Sequence, residues 1–373
     1  MTLTAYTGAR IHDGTRWRGE AALLVEDGIC IGLTDDVPPA ARVVTLDGGT
    51  LCPGFVDLQV NGGGGLMLNA APTVDTLRTM ARAHRAMGTV ALLPTLITDR
   101  PEVSRAAIAA AIRGVAEVPG IIGLHLEGPH LSLARKGAHD SALIRPLDDA
   151  DMAMLCDAAA QLPNLLLTVA AETVGPAQIA QLVAAGVIVS LGHSDAGYDD
   201  CRAAMAAGAS CSTHLFNAMS GLGHREPGLV GATLDGTGAA GLIADGIHVH
   251  PAAIRAALRA KAEGAVFLVT DAMAPAGTDL KSFTLNDRVI HRAEGRLTLA
   301  DGTLAGADLS LPQAIRVMVE EVGLSLEQTI AMATSAPAGV LRRPGPVGHL
   351  RIGQPCDPVH LSADLTQARP LLD

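Results

Sequence analysis

The sequence predicts an α/β chain: a (β/α)8 TIM-like barrel with a small β-sandwich module formed by the N- and C-terminal segments. Three observations predict it. Between about residues 51 and 344, short apolar runs alternate with segments of helical spacing, the rhythm of parallel strands joined by helices. Eight such units over about 250 residues suit a closed barrel. Both ends of the chain break that rhythm with short β-like runs, separated at the N-terminal end by the Asp13-Gly14, Asp27-Gly28 and Asp47-Gly48 turns, the pattern of a β module. The length of 373 residues suits one large barrel plus a minor module. The expected division is 1–50 with 345–373 for the module and 51–344 for the barrel.

Taken in order, the module begins with β-like runs at Thr4–Ile11, Glu20–Val25, Ile29–Leu33 and Arg42–Leu46. Phe55–Val60 is the first barrel strand, followed by Gly62–Gly65. That glycine run lacks the phosphate-loop signature and reads as backbone that approaches the site closely. Val74–Met87 has apolar residues at helical spacing and ends at Gly88; Thr89–Leu93 is a strand; Pro101 opens a helix to about Val118. Further strands are expected at Gly120–Leu126, Leu165–Ala171, Val187–Leu191, Ala209–His214, Ala239–Ala244 and Val266–Thr270. Helices are expected at Asp149–Gln161, Pro176–Ala185, Asp199–Ala207 and Pro251–Glu263. Residues 280–305 form an excursion of short strands at Phe283–Leu285, Arg288–His291 and Arg296–Leu299. Helices at Leu311–Val322 and Leu326–Ala333 follow, and Gly348–Leu361 is β-like again, with Pro358 arguing for an edge strand.

Composition narrows the function classes. Hydrophobic residues make up 49% and aromatics 2%, so Ala, Val, Leu and Ile must fill a large core. So few rings leave no stacking platform for single-stranded nucleic acid. The net charge of −11 disfavours a polyanion partner, though a local basic pocket for a small anion is compatible with it. The six cysteines are scattered without C-x-x-C spacing, as in reduced, buried thiols of a cytosolic protein. No signal peptide is expected from the opening residues, and no apolar run is long enough to span a bilayer as a helix. The expected setting is cytoplasmic, with no membrane or nucleic-acid partner.

Residues 125–140 are the most informative stretch. An apolar strand runs straight into Glu127, and Gly128 and Pro129 turn the chain. A carboxylate at the end of a buried strand is costly unless its charge is compensated, and a metal ion is the simplest compensation. Barrels place their chemistry at the C-terminal ends of their strands. Polar residues fall there: Gln59 and Asn61 after strand 1, Glu127 after strand 3, His193 after strand 5, His214 after strand 6, His248 after strand 7 and Asp271 after strand 8. Glu127, His193 and His214 can make a three-ligand zinc-like site with an open position for water. Asp271 can take that water's proton and pass it to a leaving group. Each has a plainer reading when taken singly: a strand-end His is commonly a hydrogen-bonded structural residue, and an Asp commonly caps a helix. Their joint placement favours the metal.

The same residues carry a resemblance. Pro53-Gly54-Phe55-Val56-Asp57, His125-Leu126-Glu127-Gly128-Pro129, Lys136-Gly137-Ala138-His139, Gly192-His193-Ser194, Thr213-His214-Leu215-Phe216-Asn217-Ala218-Met219, Arg225-Glu226-Pro227-Gly228, Asp245-Gly246-Ile247-His248 and Val269-Thr270-Asp271-Ala272 follow one another in that order. Any one motif is weak. The ordered set, over about residues 50–340, resembles the N-acetylglucosamine-6-phosphate deacetylases of the amidohydrolase superfamily.

The resemblance implies metal-dependent hydrolysis of the N-acetyl group of N-acetyl-D-glucosamine 6-phosphate, giving D-glucosamine 6-phosphate and acetate. It implies one divalent metal ion per subunit on Glu127, His193 and His214: zinc, with iron, cobalt or manganese as alternatives. Asp271 is implied as general acid/base and His139 as hydrogen-bond donor to the acetamide carbonyl, where the plainer reading is an exposed loop histidine. Asn217 and Ala218 (the latter through its backbone), Ala138 and a Leu304-Ala305-Gly306 turn are implied to line the sugar site. Arg225 and His248 are implied to hold the 6-phosphate, which an arginine fork suits; a surface arginine is the plainer alternative. In the family this arginine can be lent across a dimer interface, so a homodimer is expected.

Two departures matter. Many amidohydrolases carry His-x-His after strand 1 and bind two metals, whereas this chain has Gln59-Val60-Asn61. Neutral amides are poor zinc ligands, so Gln59 and Asn61 are expected as metal-near hydrogen-bonding residues of a single-metal site. His130 stands where relatives often have an aromatic or apolar residue, and is expected to fill wall space. Three rivals remain. Choice of N-acetylgalactosamine 6-phosphate instead depends on pocket contacts to hydroxyls. A cyclic-amide hydrolase commonly has a carboxylated Lys, but strand 4 ends in Ala170-Ala171-Glu172. A catalytically inactive sugar-phosphate-binding protein would not need Asp271 beside the ligand set.

Overall fold

The computed structural model describes residues 3–19 and 22–372. Barrel strands 1 to 8 are Phe55–Val60, Thr89–Ile97, Leu124–Glu127, Leu165–Val169, Ile188–Leu191, Cys211–Ser212, Ala239–Leu242 and Val266–Leu268, joined in sequence order into one parallel sheet. Parallel neighbours need a crossover. Helices Val74–Arg85, Pro101–Glu117, Asp149–Gln161, Pro176–Ala185, Tyr198–Ala206, Gly228–Asp235 and Pro251–Ala260 supply it. Strands 8 and 1 are the two ends of the ladder. A Val60–Ala272 bridge, with Asn61 N–H to Ala272 O at 2.8 Å and Asp271 N–H to Gln59 O at 3.0 Å, closes the barrel there.

Local chemistry accounts for most helix ends. Pro101, Pro176 and Pro251 sit in first turns, where a missing N–H costs nothing. Asp148 caps its helix by accepting the Asp151 N–H, and Gly186, at φ +99°, ends another.

Several boundaries differ from expectation. Strand 3 starts at Leu124, not Gly120, because Gly120 and Gly123 take φ +92° and +151°. Strand 2 continues through Pro94 to Ile97. The register slips at Pro94, and Val60 N–H turns to Thr95 Oγ1 at 2.9 Å. Strand 6 is only Cys211–Ser212. Helix Gly228–Asp235 was not expected from the sequence. Its residues Gly228 to Thr233 are all buried, so it has no amphipathic period to read.

The excursion after strand 8 is a four-stranded antiparallel sheet: Ser282–Leu285, Arg288–Ala293, Arg296–Thr298 and Leu304–Ala307. Leu304-Ala305-Gly306, expected as a turn, is therefore strand. Ala307 N–H donates to Asp271 O at 2.9 Å and holds that strand against the end of strand 8.

The chain's two terminal segments form two further four-stranded sheets. One contains Leu3–Thr7, Ala22–Glu26, Ile29–Thr34 and Arg42–Thr45; the other contains Arg10–Ile11, Thr50–Pro53, Pro358–Leu361 and Ala368–Pro370. The expected run Glu20–Val25 is seen as Ala22–Glu26, while positions 20 and 21 lie outside the described residues. Tyr6, Ile11, Leu23, Val25, Cys30, Leu46, Leu51, Leu350 and Cys356 form one apolar core. Pro358 is not on an edge, since its strand lies between Thr50–Pro53 and Ala368–Pro370. As the first residue of the strand, opposite Pro53, it needs no ladder donor. Among the described residues no helix is long and apolar enough to cross a membrane.

Candidate metal centre and active site

The strand ends converge on one buried cluster. Glu127 is the last residue of strand 3, and His193, His214 and Asp271 follow strands 5, 6 and 8. His193, His214 and Asp271 all take left-handed backbone, at φ 47°, 32° and 51°, as do Phe216 and Ala218 at 79° and 50°. Such conformations cost non-glycine residues about 1–3 kcal/mol each and gather at functional sites. They turn these side chains out of the strands and over the barrel mouth.

Glu127 Oε1 lies 3.1 Å from His193 Nε2 and 3.0 Å from His214 Nε2, and the two Nε2 atoms are 3.1 Å apart. A tetrahedral zinc with bonds of 2.0–2.1 Å needs ligand–ligand edges of about 3.3–3.4 Å, within a few tenths of this triangle. His193 Nδ1 donates to Arg135 O at 2.8 Å, which leaves the Nε2 lone pair facing the centre. His214 Nδ1 is buried with no hydrogen-bond partner among the described residues. The residues therefore fit a divalent ion. Burial opposes charge on Glu127, yet the two imidazoles hold its carboxyl well below the usual range.

Glu127, His139 and His193 also offer ligand atoms within 4.8 Å of one another. The Glu127/His193/His214 triangle is tighter, and His139 Nδ1 is engaged by Thr98 Oγ1 at 2.7 Å. His139 stacks edge-on to His193, with centroids 4.4 Å apart. Burial, then the neighbouring His193, push its pKa down to about 3, so it is neutral. It is buried, not an exposed loop histidine.

Gln59 and Asn61 act as donors. Gln59 Nε2 bridges Glu127 Oε1 at 3.2 Å and Asp271 Oδ1 at 3.1 Å; Asn61 Nδ2 reaches Asp271 Oδ1 at 2.7 Å. Burial and the Glu127 charge raise Asp271 to about 6.

The other expected residues are placed as follows. Half-buried Ala138 adjoins His139, and its carbonyl accepts Arg288 Nη2 at 2.6 Å. Asn217 and Ala218 lie on the turn that leaves His214, where Asn217 Nδ2 donates to His214 O at 3.3 Å. Leu304, Ala305 and Gly306 run beside Asp271. Gly306 has φ +62°, and a Cβ there would lie 2.8 Å from Asp271 O. His248 Nδ1 is 2.6 Å from Asp245 Oδ2. Arg225 is exposed and makes no hydrogen bond or ion pair among the described residues, so the chain alone does not bring it to the cluster. His130 is buried, with Nδ1 3.1 Å from Arg145 O and Nε2 3.8 Å from Asp151 Oδ2.

Sequence reasoning missed Thr98, Asp57 and Arg288. Thr98 follows strand 2, whose continuation past Pro94 was not expected. Asp57 reads as one more strand residue, although an Asp in a wholly buried strand was a signal.

The amidohydrolase family model matches residues 50–369. An N-acetylgalactosamine-6-phosphate deacetylase of Shewanella sp. (strain ANA-3) is 44% identical over 365 residues, covering 96% of this chain and 91% of the relative. An N-acetylglucosamine-6-phosphate deacetylase of Haemophilus influenzae is 36% identical over 80% of this chain and 78% of its own. The crystal structure of N-acetylglucosamine-6-phosphate deacetylase from Pasteurella multocida superposes with a TM-score of 0.94 at 34% identity, covering 98% and 97% of the two chains. With its barrel, its strand-end ligand cluster and these matches, the chain belongs to the amidohydrolase family.

Proposed function

We propose that this chain hydrolyses the N-acetyl group of N-acetyl-D-glucosamine 6-phosphate, giving D-glucosamine 6-phosphate and acetate. The observation that carries the reading is the Glu127/His193/His214 triangle with Asp271 joined to it through Gln59. A divalent ion there, zinc by its donor set with iron, cobalt or manganese as alternatives, would supply Lewis acidity and a nucleophilic water at neutral pH.

The chain's own residues do the rest. Asp271, raised to about 6, takes the proton of the attacking water and returns it to the departing amine. Thr98 Oγ1 lies 2.7 Å from His139 Nδ1 and 3.3 Å from Glu127 O, so this hydroxyl holds the imidazole in place. In the tautomer that carries its proton on Nε2, with Thr98 Oγ1 donating to Nδ1, neutral His139 donates to the acetyl oxygen, a contact worth about 2.7–4 kcal/mol where charge develops. Ala138, Asn217, Ala218, Leu304, Ala305 and Gly306 line the sugar. Arg225 and His248 hold the phosphate, and the exposure of Arg225 is consistent with its service to the neighbouring subunit of a homodimer. The same reading places the enzyme in the cytoplasm and divides the chain into a module of residues 1–50 with 345–373 and a barrel domain of residues 51–344.

A second reading, the galactosamine epimer as substrate, is favoured by the 44% identical relative. Acetate release is measured from N-acetylglucosamine 6-phosphate, its unphosphorylated sugar and N-acetylgalactosamine 6-phosphate, before and after chelation. Fast release from the first alone, lost on chelation and restored by Zn²⁺, supports the proposal. Preference for the third moves the substrate to the epimer, and no release from any by metal-replete protein overturns the reading.

A further inference from the structure

Seven of the eight junctions between neighbouring barrel strands are hydrogen-bonded ladders; the junction of strands 8 and 1 has only the single Val60–Ala272 bridge, with Asp271 N–H to Gln59 O at 3.0 Å and Asn61 N–H to Ala272 O at 2.8 Å. Asp271, Gln59 and Asn61 all stand at this weak seam. The seam also contains a carboxyl group that the mechanism does not use. Asp57, on strand 1, is 0% exposed. Its Oδ2 accepts Thr270 Oγ1–H at 2.5 Å, both its oxygens lie 3.3 Å from Thr270 N, and its Oδ1 accepts Gln59 N–H at 3.2 Å. Thr270 Oγ1 in turn accepts Ala272 N–H at 3.2 Å. Asp271 is thus bracketed: the residue before it is pinned to strand 1, and the residue after it is pinned to that same hydroxyl. Between the two pins Asp271 keeps φ 51°, a conformation that persists only when its surroundings over-determine it.

We propose that the Asp57–Thr270 pair is a positioning device that reinforces the single bridge at this junction and holds Asp271, with its donor Gln59, in place for proton transfer. The role of Asp271 rests on the function proposed above; the bracket itself does not. Thr270→Val keeps the shape and removes the hydroxyl. Asp57→Asn sets an amide NH2 against donors. Thr270→Ser restores the hydroxyl without the methyl.

The test combines kinetics with amide hydrogen exchange on the metal-loaded protein. Thr270→Val and Asp57→Asn should each lower kcat about 10- to 100-fold, as an ångström of misplacement can, with KM within about threefold and metal content unchanged. Thr270→Ser should recover most of the rate, and the double variant Asp57→Asn/Thr270→Val should be little worse than either single one, because both remove one device. Exchange at Asp271 and Ala272 N–H should rise at least about tenfold in Thr270→Val while the other strands keep their protection. Wild-type kcat and exchange in Thr270→Val would overturn the proposal, as would losses that track metal content or global melting. If the wild type releases no acetate, the function fails instead, and exchange at residues 271 and 272 still decides whether the bracket holds.

Discussion

Replacing Asp271 by Asn separates proton chemistry from architecture. Both side-chain hydrogen bonds to Asp271 arrive at Oδ1, from Asn61 Nδ2 at 2.7 Å and Gln59 Nε2 at 3.1 Å. An Asn carbonyl can accept both, leaving its NH2 where Oδ2 stood, and the backbone bond to Gln59 O is untouched. What disappears is the ability to take a proton. A positioned acid/base is worth about 10²–10⁴-fold in rate, or about 2.7–5.4 kcal/mol of barrier at 1.36 kcal/mol per decade. Stability moves the other way. Burial and Glu127 raise the carboxyl to about 6 in the folded chain, so Asp271 contributes most below about pH 4 and loses that contribution as pH rises through about 6. Metal-free Asp271→Asn should therefore melt no lower than metal-free wild type at neutral pH, and any advantage should vanish near pH 4. Acetate release, metal per subunit and calorimetry read the three quantities. A kcat within about threefold of wild type at normal metal content would remove Asp271 from proton transfer, and a clear fall in Tm would contradict the hydrogen-bond geometry.

Three further outcomes are expected. Lys261 Nζ donates to the carbonyls of Thr233, Gly236 and Gly238 at 3.0, 2.6 and 2.6 Å. Lys261→Met strands these carbonyls and should cost about 3–5 kcal/mol in urea denaturation, with KM unchanged. Gly306→Ala meets both φ +62° and a Cβ 2.5 Å from Met273 Cγ; strain of about 1–3 kcal/mol should lower Tm and raise KM for the sugar phosphate. Burial opposes charge on Asp13, yet hydrogen bonds from Thr15, Arg16 and Arg18 hold it at about 2. Its stabilisation is full above about pH 4 and fades as pH falls toward 2, so Asp13→Asn should lower Tm at neutral pH, with the gap closing on acidification.

The alternation of apolar runs with helical segments, the prolines that open helices and the polar residues that end strands were all legible in the sequence. They are local signals, written within one element each, and they led to the barrel and to Glu127, His193, His214 and Asp271. The buried helix Gly228–Asp235 and the continuation of strand 2 through Pro94 were not legible, because full burial erases periodicity and neighbouring strands can accommodate a proline. Three further features were decided only when distant segments met. Gln59 and Asn61 became donors to carboxylates from strands 3 and 8, Pro358 settled inside a sheet, and His193, His214 and Asp271 were held in left-handed backbone. The residue types and their order along the chain therefore determined which chemistry is available. Where each proton can go depends on contacts such as Asp57 to Thr270, between residues far apart in sequence, and only the closed barrel brings those together.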